Sequence, residues 1–236
     1  MDFSDFIISD FKKDSEEVYI YQLKKKDSSS VFDFLPGQFC RIKNPAYIKP
    51  EETHLFSVSS SPSNKNYIEI CLKVYGFWTQ TFSQKKVGDI IKISGPYGNF
   101  VWDNTIPNAV FLAGGIGISP MISMLRYLKE EKLNPHITLL YGSRTKDSIA
   151  YKDELDNLRI DSKNLHIIHI LSHLKPEDPW PGYRGFITKE IFQKEVDFSL
   201  NPIFFICGPP IFVKLMNQIL EQFKIAPQYI RQELFT

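Results

Sequence analysis

Cysteine is scarce in this sequence. Its 236 residues contain three cysteines, Cys40, Cys71 and Cys207, which are widely separated and form no C-x-x-C pair. An odd, scattered set disfavours a structural zinc site, a disulfide scaffold and a cysteine-ligated iron–sulfur cluster, which typically needs four cysteines. We therefore expect no metal site.

The sequence also lacks an excess of charge of either sign. Lys and Arg number 28 against 27 Asp and Glu, which gives a formal net charge of +1. A near-neutral chain has no global field that would hold a polyanion. We therefore expect neither nucleic acid nor an anionic membrane surface as a partner, although a local basic patch is compatible with this charge.

No targeting or membrane-spanning segment is evident. Residues 1–5 are acidic and lack the basic and apolar regions of a signal peptide, so we expect a cytoplasmic location. The uncharged stretch 104–125 is long enough to cross a bilayer, but it contains three glycines and two prolines. This composition favours a buried strand, a turn and a helix start over a membrane span.

The first 103 residues contain short segments of alternating polarity that are separated by turn-forming loops. Such a pattern is typical of an antiparallel barrel or sandwich. With hydrophobic residues at 43% of the chain, a packed core is expected. The predicted strands are 18–23, 38–42, 55–59, 67–74 and 89–94.

After Asp103, apolar runs alternate with amphipathic segments. This order predicts parallel strands and crossover helices. The predicted strands are 109–113, 137–141, 165–171, 203–207 and 229–234, and the predicted helices are 120–131, 151–159, 189–194 and 210–224. We place the domain boundary near 102–107, which gives a barrel domain over 1–103 and an α/β domain over 104–236.

Three predicted strands of the α/β half end in glycine-bearing turns, at Gly114-Gly115-Ile116-Gly117, Tyr141-Gly142-Ser143-Arg144 and Cys207-Gly208-Pro209. In an open α/β sheet, ligands bind outside the carboxyl ends of the strands, so these turns point at one crevice. Glycines and a helix start suit a pyrophosphate, and Ser143 and Arg144 suit a ribose or a 2'-phosphate. The alternatives are tight turns, an exposed arginine and an inert buried thiol at Cys207.

The barrel half carries a second set of motifs: His54-Leu55-Phe56-Ser57, Gly76-Phe77-Trp78-Thr79 and Gly95-Pro96-Tyr97-Gly98-Asn99-Phe100. An aromatic ring beside a hydroxyl suits a flat heterocycle, which needs a stacking face and a hydrogen bond. The glycine turn suits a phosphate. Taken singly, each motif is equally compatible with core packing or a turn.

The order of these motifs resembles the ferredoxin-NADP reductase superfamily of flavoproteins over nearly the whole chain, from about Val18 to Phe235. The flavin motif Arg-x-Tyr/Phe-Ser/Thr is similar to His54–Ser57, and the flavin phosphate turn Gly-x-x-Ser/Thr to Gly76–Thr79. The nucleotide motif resembles Gly114–Pro120. Further counterparts are the linker Gly95–Phe100, the nicotinamide-side Cys207-Gly208-Pro209-Pro210 and the terminal Glu233-Leu234-Phe235.

This resemblance implies an antiparallel FAD-binding β-barrel followed by an NAD(P)-binding α/β domain with a parallel sheet. Hydride would pass from NADPH or NADH to flavin N5 between the domains. Phe56 would stack on the flavin, Ser57 would bind near N5, Cys207 would lie beside the nicotinamide, and Glu233 would serve proton and electron relay. The implied catalytic residues are Ser57, Cys207 and Glu233, and the implied cofactor-binding residues are His54, Leu55, Phe56, Ser57, Cys71, Leu72, Lys73, Gly76, Trp78, Thr79, Gly114, Gly115, Gly117, Ser119, Pro120, Ser143, Arg144, Cys207, Gly208, Pro209 and Phe235.

One departure from the superfamily pattern is at the flavin phosphates. His54 stands where the superfamily has arginine, and a histidine is mostly uncharged at pH 7. Arg41, Lys43 or Lys73 would then supply the missing charge, or the phosphates would hold His54 protonated. We expect weaker FAD binding above about pH 7.5.

The other departure is the absence of the four cysteines of a fused ferredoxin. We therefore expect electrons to pass to a separate protein, such as a ferredoxin, a flavodoxin, an oxygenase component or a b-type cytochrome. Two alternatives stay open. The first is a flavin or ferric reductase that uses free acceptors, and the second is a non-catalytic regulatory module that keeps the fold. A plain dinucleotide-binding enzyme would leave the barrel motifs unexplained.

Overall fold

A computed structural model describes residues 2–234 of the chain. They divide into two compact units: residues up to Trp102 together with Ser119–Glu131, and Asp103–Ile118 together with the residues from Lys132 onward. The first unit is an antiparallel sheet, and the second is a parallel sheet with helices. The predicted fold class is therefore confirmed.

The first unit contains six strands in the order β4-β3-β6-β1-β2-β5. Inward-facing apolar residues alternate with outward-facing ones and fill the barrel with a single core. A bridge between Val58 and Ile70 joins the two ends of the sheet. The strands are β1 (Ser4–Lys13), β2 (Val18–Lys25), β3 (Phe39–Lys43), β4 (Thr53–Ser57), β5 (Ile68–Lys73) and β6 (Ile90–Tyr97), and one short helix, α1 (Phe77–Ser83), follows β5.

Strand β1 is not among the strands predicted from the sequence. Of its ten residues only Phe6 and Ile8 are buried, and the rest include three acidic or basic side chains at its exposed end. Its pairing with β2 on one side and β6 on the other establishes it as a strand, with a register irregularity between Ile8 and Asp10. Such long-range pairing overrides a weak local pattern.

Helix α2 (Ser119–Glu130) groups with the barrel although it directly follows the first strand of the parallel sheet. The Ser123 hydroxyl donates to the carbonyl of Ser60 at 2.7 Å. The Arg126 guanidinium donates to the carbonyl of Ser59 at 3.0 Å and forms an ion pair with Glu69 at 2.7 Å. Buried polar contacts therefore attach this helix to the barrel strands.

The second unit contains six parallel strands in the order β10-β9-β8-β7-β11-β12. One face of the sheet is covered by two helices, whose apolar residues form a common core with the strands. The strands are β7 (Asn108–Gly114), β8 (His136–Ser143), β9 (Leu165–Leu171), β10 (Tyr183–Arg184), β11 (Ile203–Gly208) and β12 (Ile230–Leu234), and the helices are α3 (Lys152–Asp161), α4 (Lys189–Glu195) and α5 (Pro210–Gln222). The covering helices are α4 and α5.

The uncharged stretch 104–125 forms β7, a single 3-10 turn and the start of α2, as predicted. Within residues 2–234 no helix has both the length and the apolar character needed to cross a membrane. The cytoplasmic location stays a prediction.

His169 of β9 is a histidine enclosed by aromatic rings. Its ring centroid lies 5.7 Å from that of Tyr141 and 6.4 Å from that of Trp180. Burial lowers the pKa of His169 from 6.5 to about 4, although the Asp156 carboxylate opposes this shift and Lys152 and Arg159 add to it. The folded protein therefore keeps this side chain neutral well below neutral pH.

We expect His169 to make the protein sensitive to mild acid. Between pH 6.5 and 4 the unfolded chain binds a proton at this residue and the folded chain does not, so stability is lost as the pH falls through this window. The loss should reach about 2 kcal/mol at pH 4.5. Urea unfolding at pH 7 and 4.5 should show that His169→Gln loses less unfolding free energy between these pH values than the wild type does. The exposed His166→Gln control should behave as wild type.

Candidate functional site

The parallel sheet changes its winding direction at β7. The chain passes from β7 to β8 on one side, whereas β11 pairs with β7 on the other side. A crevice opens at such a switch point, outside the carboxyl ends of the strands. The predicted glycine turns after β7 and β11 both lie at this edge, so the structure brings them together.

The glycines of the turn after β7 have different structural roles. Gly115 has φ +55°, and nothing lies within 4 Å of the position where a Cβ would stand. The backbone is thus open to close approach there, as a phosphate requires. At Gly117 a Cβ would lie 2.1 Å from the carbonyl oxygen of Cys207, so this glycine lets the turn pack on the end of β11. Ser119 and Pro120 follow as the first two residues of α2.

The end of β8 offers two further predicted residues. Ser143 is buried, and within residues 2–234 no hydrogen-bond partner is found for its hydroxyl oxygen. Arg144 is exposed. Its backbone N–H donates to the Ser148 hydroxyl at 3.1 Å, and that hydroxyl also accepts from Thr145 and donates to the carbonyl of Thr145. The loop is therefore fixed by its own hydrogen bonds while the Arg144 side chain is free to reach a ligand.

Cys207 and Glu233 are neighbours on adjacent strands. They face each other in the β11–β12 register, and Gly208 and Pro209 follow Cys207 at the start of α5. Burial, and to a smaller degree the Glu233 carboxylate, raises the pKa of the Cys207 thiol well above its ordinary value. Cys207 is therefore a protonated thiol at neutral pH and not a nucleophilic thiolate. Phe235, the last predicted site residue, lies outside the described residues.

In the barrel, the flavin motif lies on β4 with alternating orientation. His54 and Phe56 face inward, Leu55 is about half exposed, and Ser57 is buried. The His54 ring stacks on Trp78 with centroids 4.2 Å apart, and its Nε2 lies 2.9 Å from a carboxylate oxygen of Glu52. His54 thus stands at the predicted phosphate position together with an acidic partner.

Phe56 packs in the barrel core. Its ring centroid lies 5.7 Å from Trp78 and 6.3 Å from Phe82, and only 9% of its surface is exposed. A ring buried to this extent offers little surface to a ligand. Its predicted stacking on a flavin stays a proposal.

The glycine turn after β5 is closed by its own threonine. The Thr79 hydroxyl accepts from the backbone N–H groups of Tyr75 and Gly76 at 3.0 Å each and donates to the carbonyl of Gly76 at 2.9 Å. A hydroxyl has one donor and two lone pairs, so these bonds use its full capacity. Thr79 shapes the turn, while the backbone of Gly76, with no atom within 4 Å of a Cβ position, is open to a ligand.

The cationic groups that would replace an arginine are already engaged. Lys73 pairs with Glu17 at 3.2 Å, Lys43 pairs with Glu51, and the Arg41 guanidinium lies 5.0 Å from the centroid of the Tyr97 ring. Cys71 and Leu72 are buried in β5 beside Lys73. A phosphate would compete with carboxylates for the two lysines.

The residues present fit a dinucleotide in each unit. In the barrel the buried Trp78 has an indole N–H without a partner among residues 2–234, and in the parallel sheet the same holds for the Ser143 hydroxyl. Buried polar groups usually have a partner, so each of these two groups is a candidate hydrogen-bonding group for a cofactor. Across residues 2–234 no group of three or more His, Cys, Asp or Glu side chains could hold a metal ion.

Known protein families match both halves of the chain. Residues 5–102 match the family Oxidoreductase FAD-binding domain, and residues 111–218 match the family Oxidoreductase NAD-binding domain. The chain belongs to the ferredoxin-NADP reductase superfamily. Members of this superfamily are NAD(P)H-dependent flavoprotein oxidoreductases, and their cofactors are FAD and NADPH or NADH. The family matches assign FAD to the barrel half and the nicotinamide nucleotide to the parallel-sheet half.

Several relatives are longer proteins, and one of them is named as the reductase component of propane 2-monooxygenase. The chain is 32% identical over 207 residues to the phenol hydroxylase P5 protein of Acinetobacter pittii, a match that covers 86% of this chain and 58% of that protein. It is 28% identical to a flavohemoprotein of Bacillus subtilis, covering 99% of this chain and 59% of that protein. The chain therefore spans less than two thirds of the length of these relatives.

Solved structures share the fold at low identity. The flavohem-like FAD/NAD binding domain of nitric oxide dioxygenase from Vibrio cholerae superposes with a TM-score of 0.86 at 21% identity, covering 100% of this chain and 99% of that chain. A ferredoxin NADP+ reductase from Neisseria gonorrhoeae with bound FAD and NADP gives a TM-score of 0.81 at 20% identity, covering 99% of each chain.

Proposed function

We propose that this protein is an FAD-dependent NAD(P)H oxidoreductase that takes hydride from NAD(P)H and passes electrons to a separate acceptor. The observation that carries the proposal is the pairing of an FAD-domain match with an NAD-domain match whose glycine turns meet at the switch point of the parallel sheet. FAD, when bound, supplies the conversion of a two-electron hydride transfer into single-electron steps.

The residues of this chain would bind and align the two cofactors. Gly115 admits the nucleotide pyrophosphate, and Ser143 and Arg144 hold the adenosine ribose or its 2'-phosphate. Cys207 supplies a neutral, buried surface for the nicotinamide, and Glu233 is the nearby carboxylate for proton relay. On the barrel, Ser57 and Trp78 are the hydrogen-bonding groups for the flavin.

The acceptor is proposed to be a separate protein, with an oxygenase component favoured. Support comes from relatives named as the phenol hydroxylase P5 protein and the propane 2-monooxygenase reductase component. A ferredoxin, a flavodoxin or a cytochrome would accept single electrons in the same way. Free flavin or ferric iron is the alternative, and it is distinguished by turnover that needs no added protein.

A non-catalytic module is the second candidate, and the contact of His54 with Glu52 favours it. His54 is the only ionisable side chain of the flavin motif, and the Glu52 carboxylate lies 2.9 Å from it. This negative charge opposes the binding of an anionic diphosphate. The two candidates are separated by recording the visible spectrum of the purified protein and then adding NADPH or NADH anaerobically. An absorbance band at about 450 nm that bleaches on addition of the nucleotide supports the enzyme. A colourless protein that binds neither cofactor contradicts the proposed enzyme activity.

His54→Arg is expected to strengthen FAD binding by about tenfold, because arginine stays charged and can donate two hydrogen bonds to a phosphate. Fluorescence titration of the apoprotein with FAD measures the affinities of the wild type and the variant.

The control for this variant is His166→Arg, which adds the same charge at an exposed histidine of the parallel-sheet unit. Its FAD affinity should match wild type. An FAD affinity of His54→Arg equal to that of wild type would contradict a charge-dependent role at this position.

Arg144→Ala is expected to raise the KM for NADPH by about tenfold or more and the KM for NADH by less than about twofold. The exposed guanidinium can pair bidentately with the 2'-phosphate, which NADH lacks. Initial-rate kinetics with both nucleotides measure the difference, and Arg159→Ala, an exposed arginine on α3, is the matched control. Equal changes for the two nucleotides would refute the phosphate role.

A further inference from the structure

Neighbouring strands of the parallel sheet have glycines at or next to their ends, and these glycines lie under one aromatic ring. Gly114 ends β7 and pairs with Gly142 of β8, and Gly208 ends β11. The ring belongs to Phe212, in the first turn of α5. A Cβ on any of these glycines would have the Phe212 ring within 4 Å, so the ring lies over all three strand ends.

The distances show which glycines the ring requires. A Cβ on Gly114 would lie 2.7 Å from Cγ of Phe212, and one on Gly208 would lie 2.8 Å from Cδ1. Cγ is bonded directly to the Cβ of Phe212, so it can move away only if the side chain changes its χ1 rotamer or the first turn of α5 shifts. A Cβ on Gly142 would lie 3.7 Å from Cε2, an ordinary contact. The ring therefore excludes side chains at Gly114 and Gly208 but tolerates one at Gly142.

Phe212 joins three parts of the nucleotide crevice. Its half-buried ring packs against the core under α4 and α5 on one side and against the strand-end glycines on the other. The strands that end in Gly114 and Gly208 flank the switch point, and α5 begins at Pro210, immediately after this edge. The ring thereby fixes the first turn of α5 relative to the two strand ends that face the ligand.

We propose that Phe212 is a positioning residue for the nicotinamide nucleotide. It wedges between the start of α5 and the ends of β7 and β11, and it sets the width of the crevice that receives the nucleotide. Gly114 and Gly208 lack side chains to admit this ring, whereas Gly115 lacks one to admit the ligand. The role rests on the proposed nucleotide-binding function.

A double-mutant cycle tests the wedge. Affinity for NADP+ and NAD+ is measured by calorimetry on the full FAD-loaded chain for Gly114→Ala, Phe212→Ala and the double variant. Each single change should weaken nucleotide binding by about tenfold, and the double variant should bind within about twofold of Phe212→Ala, because removal of the ring makes room for the alanine methyl. Leu215→Ala, a truncation at an exposed leucine of α5, is the matched control and should bind as wild type.

Phe212→Leu separates the positioning role from a folding defect, since it keeps an apolar side chain at this position. It should raise the KM for the nucleotide by about threefold or more with kcat little changed, and its FAD content should equal that of wild type. Unchanged nucleotide affinity in both Phe212 variants would overturn the proposal, as would an additive cycle. A wild-type protein that binds neither nucleotide would refute the proposed function itself.

Discussion

Gly117→Ala is expected to lower the free energy of unfolding by about 3 kcal/mol and to abolish nucleotide binding. The new methyl carbon would lie 2.1 Å from the carbonyl oxygen and 2.5 Å from the carbonyl carbon of Cys207, and 2.8 Å from the Cα of Gly208. All three atoms belong to the backbone of β11 or its end, so no side-chain rotation relieves the overlap. The turn after β7 and the end of β11 must therefore separate.

Thermal unfolding with and without nucleotide measures both consequences. For a chain of this length, 3 kcal/mol corresponds to a fall in Tm of about 6–12 °C. Gly142→Ala is the matched control, because its methyl group would make only ordinary contacts at 3.7 Å. A Gly117→Ala protein with the Tm and nucleotide affinity of this control would show that the turn is not packed on β11 as described.

Arg126→Met is expected to destabilise the barrel unit by about 3–5 kcal/mol. The change leaves the Glu69 carboxylate, whose side chain is only 6% exposed, without the guanidinium that lies 2.7 Å away. The Ser59 hydroxyl still donates to this carboxylate at 3.0 Å, but loss of the cationic partner of a buried charge is strongly unfavourable. The carbonyl of Ser59 loses its guanidinium donor at the same time.

The double variant Arg126→Met/Glu69→Met separates this effect from loss of packing. Replacing both partners removes the unpaired charge, so the double variant should be more stable than Arg126→Met alone. Lys65→Met is the control, since Lys65 pairs with Asp33 at the surface and should change stability by less than about 1 kcal/mol. Urea unfolding of the four proteins measures the differences, and equal losses in the single and double variants would contradict a charge effect.

Local pattern was sufficient for most elements of the fold. The alternation of the barrel segments and the apolar runs after Asp103 predicted five of the barrel strands, the main parallel strands and four helices within a few residues of their observed limits. Strand β1 was missed because only two of its residues are buried, and the two-residue β10 is too short to produce a pattern. Both are defined by pairing with distant strands.

Only part of the arrangement of the predicted site residues follows from the sequence. The glycine turns of the parallel sheet meet at one edge because parallel strands all end on the same side, which the sequence order already implied. The sequence did not indicate that Thr79 would use its whole hydrogen-bonding capacity in its own turn, or that His54 would pair with Glu52. The sequence analysis also missed Phe212. The signal that could have indicated it is an aromatic residue four positions after a strand-end glycine.

By itself the sequence determined the two kinds of sheet and the order of the cofactor motifs, since both depend on residues close together in the chain. Only the tertiary structure decided which partner each residue has. Three contacts join residues more than fifty positions apart: Arg126 with Glu69, Gly117 with Cys207, and Gly114 with Phe212. Such contacts depend on the packing of whole elements, and no local spacing encodes them. To the scarcity of cysteine the structure adds that all three thiols are buried.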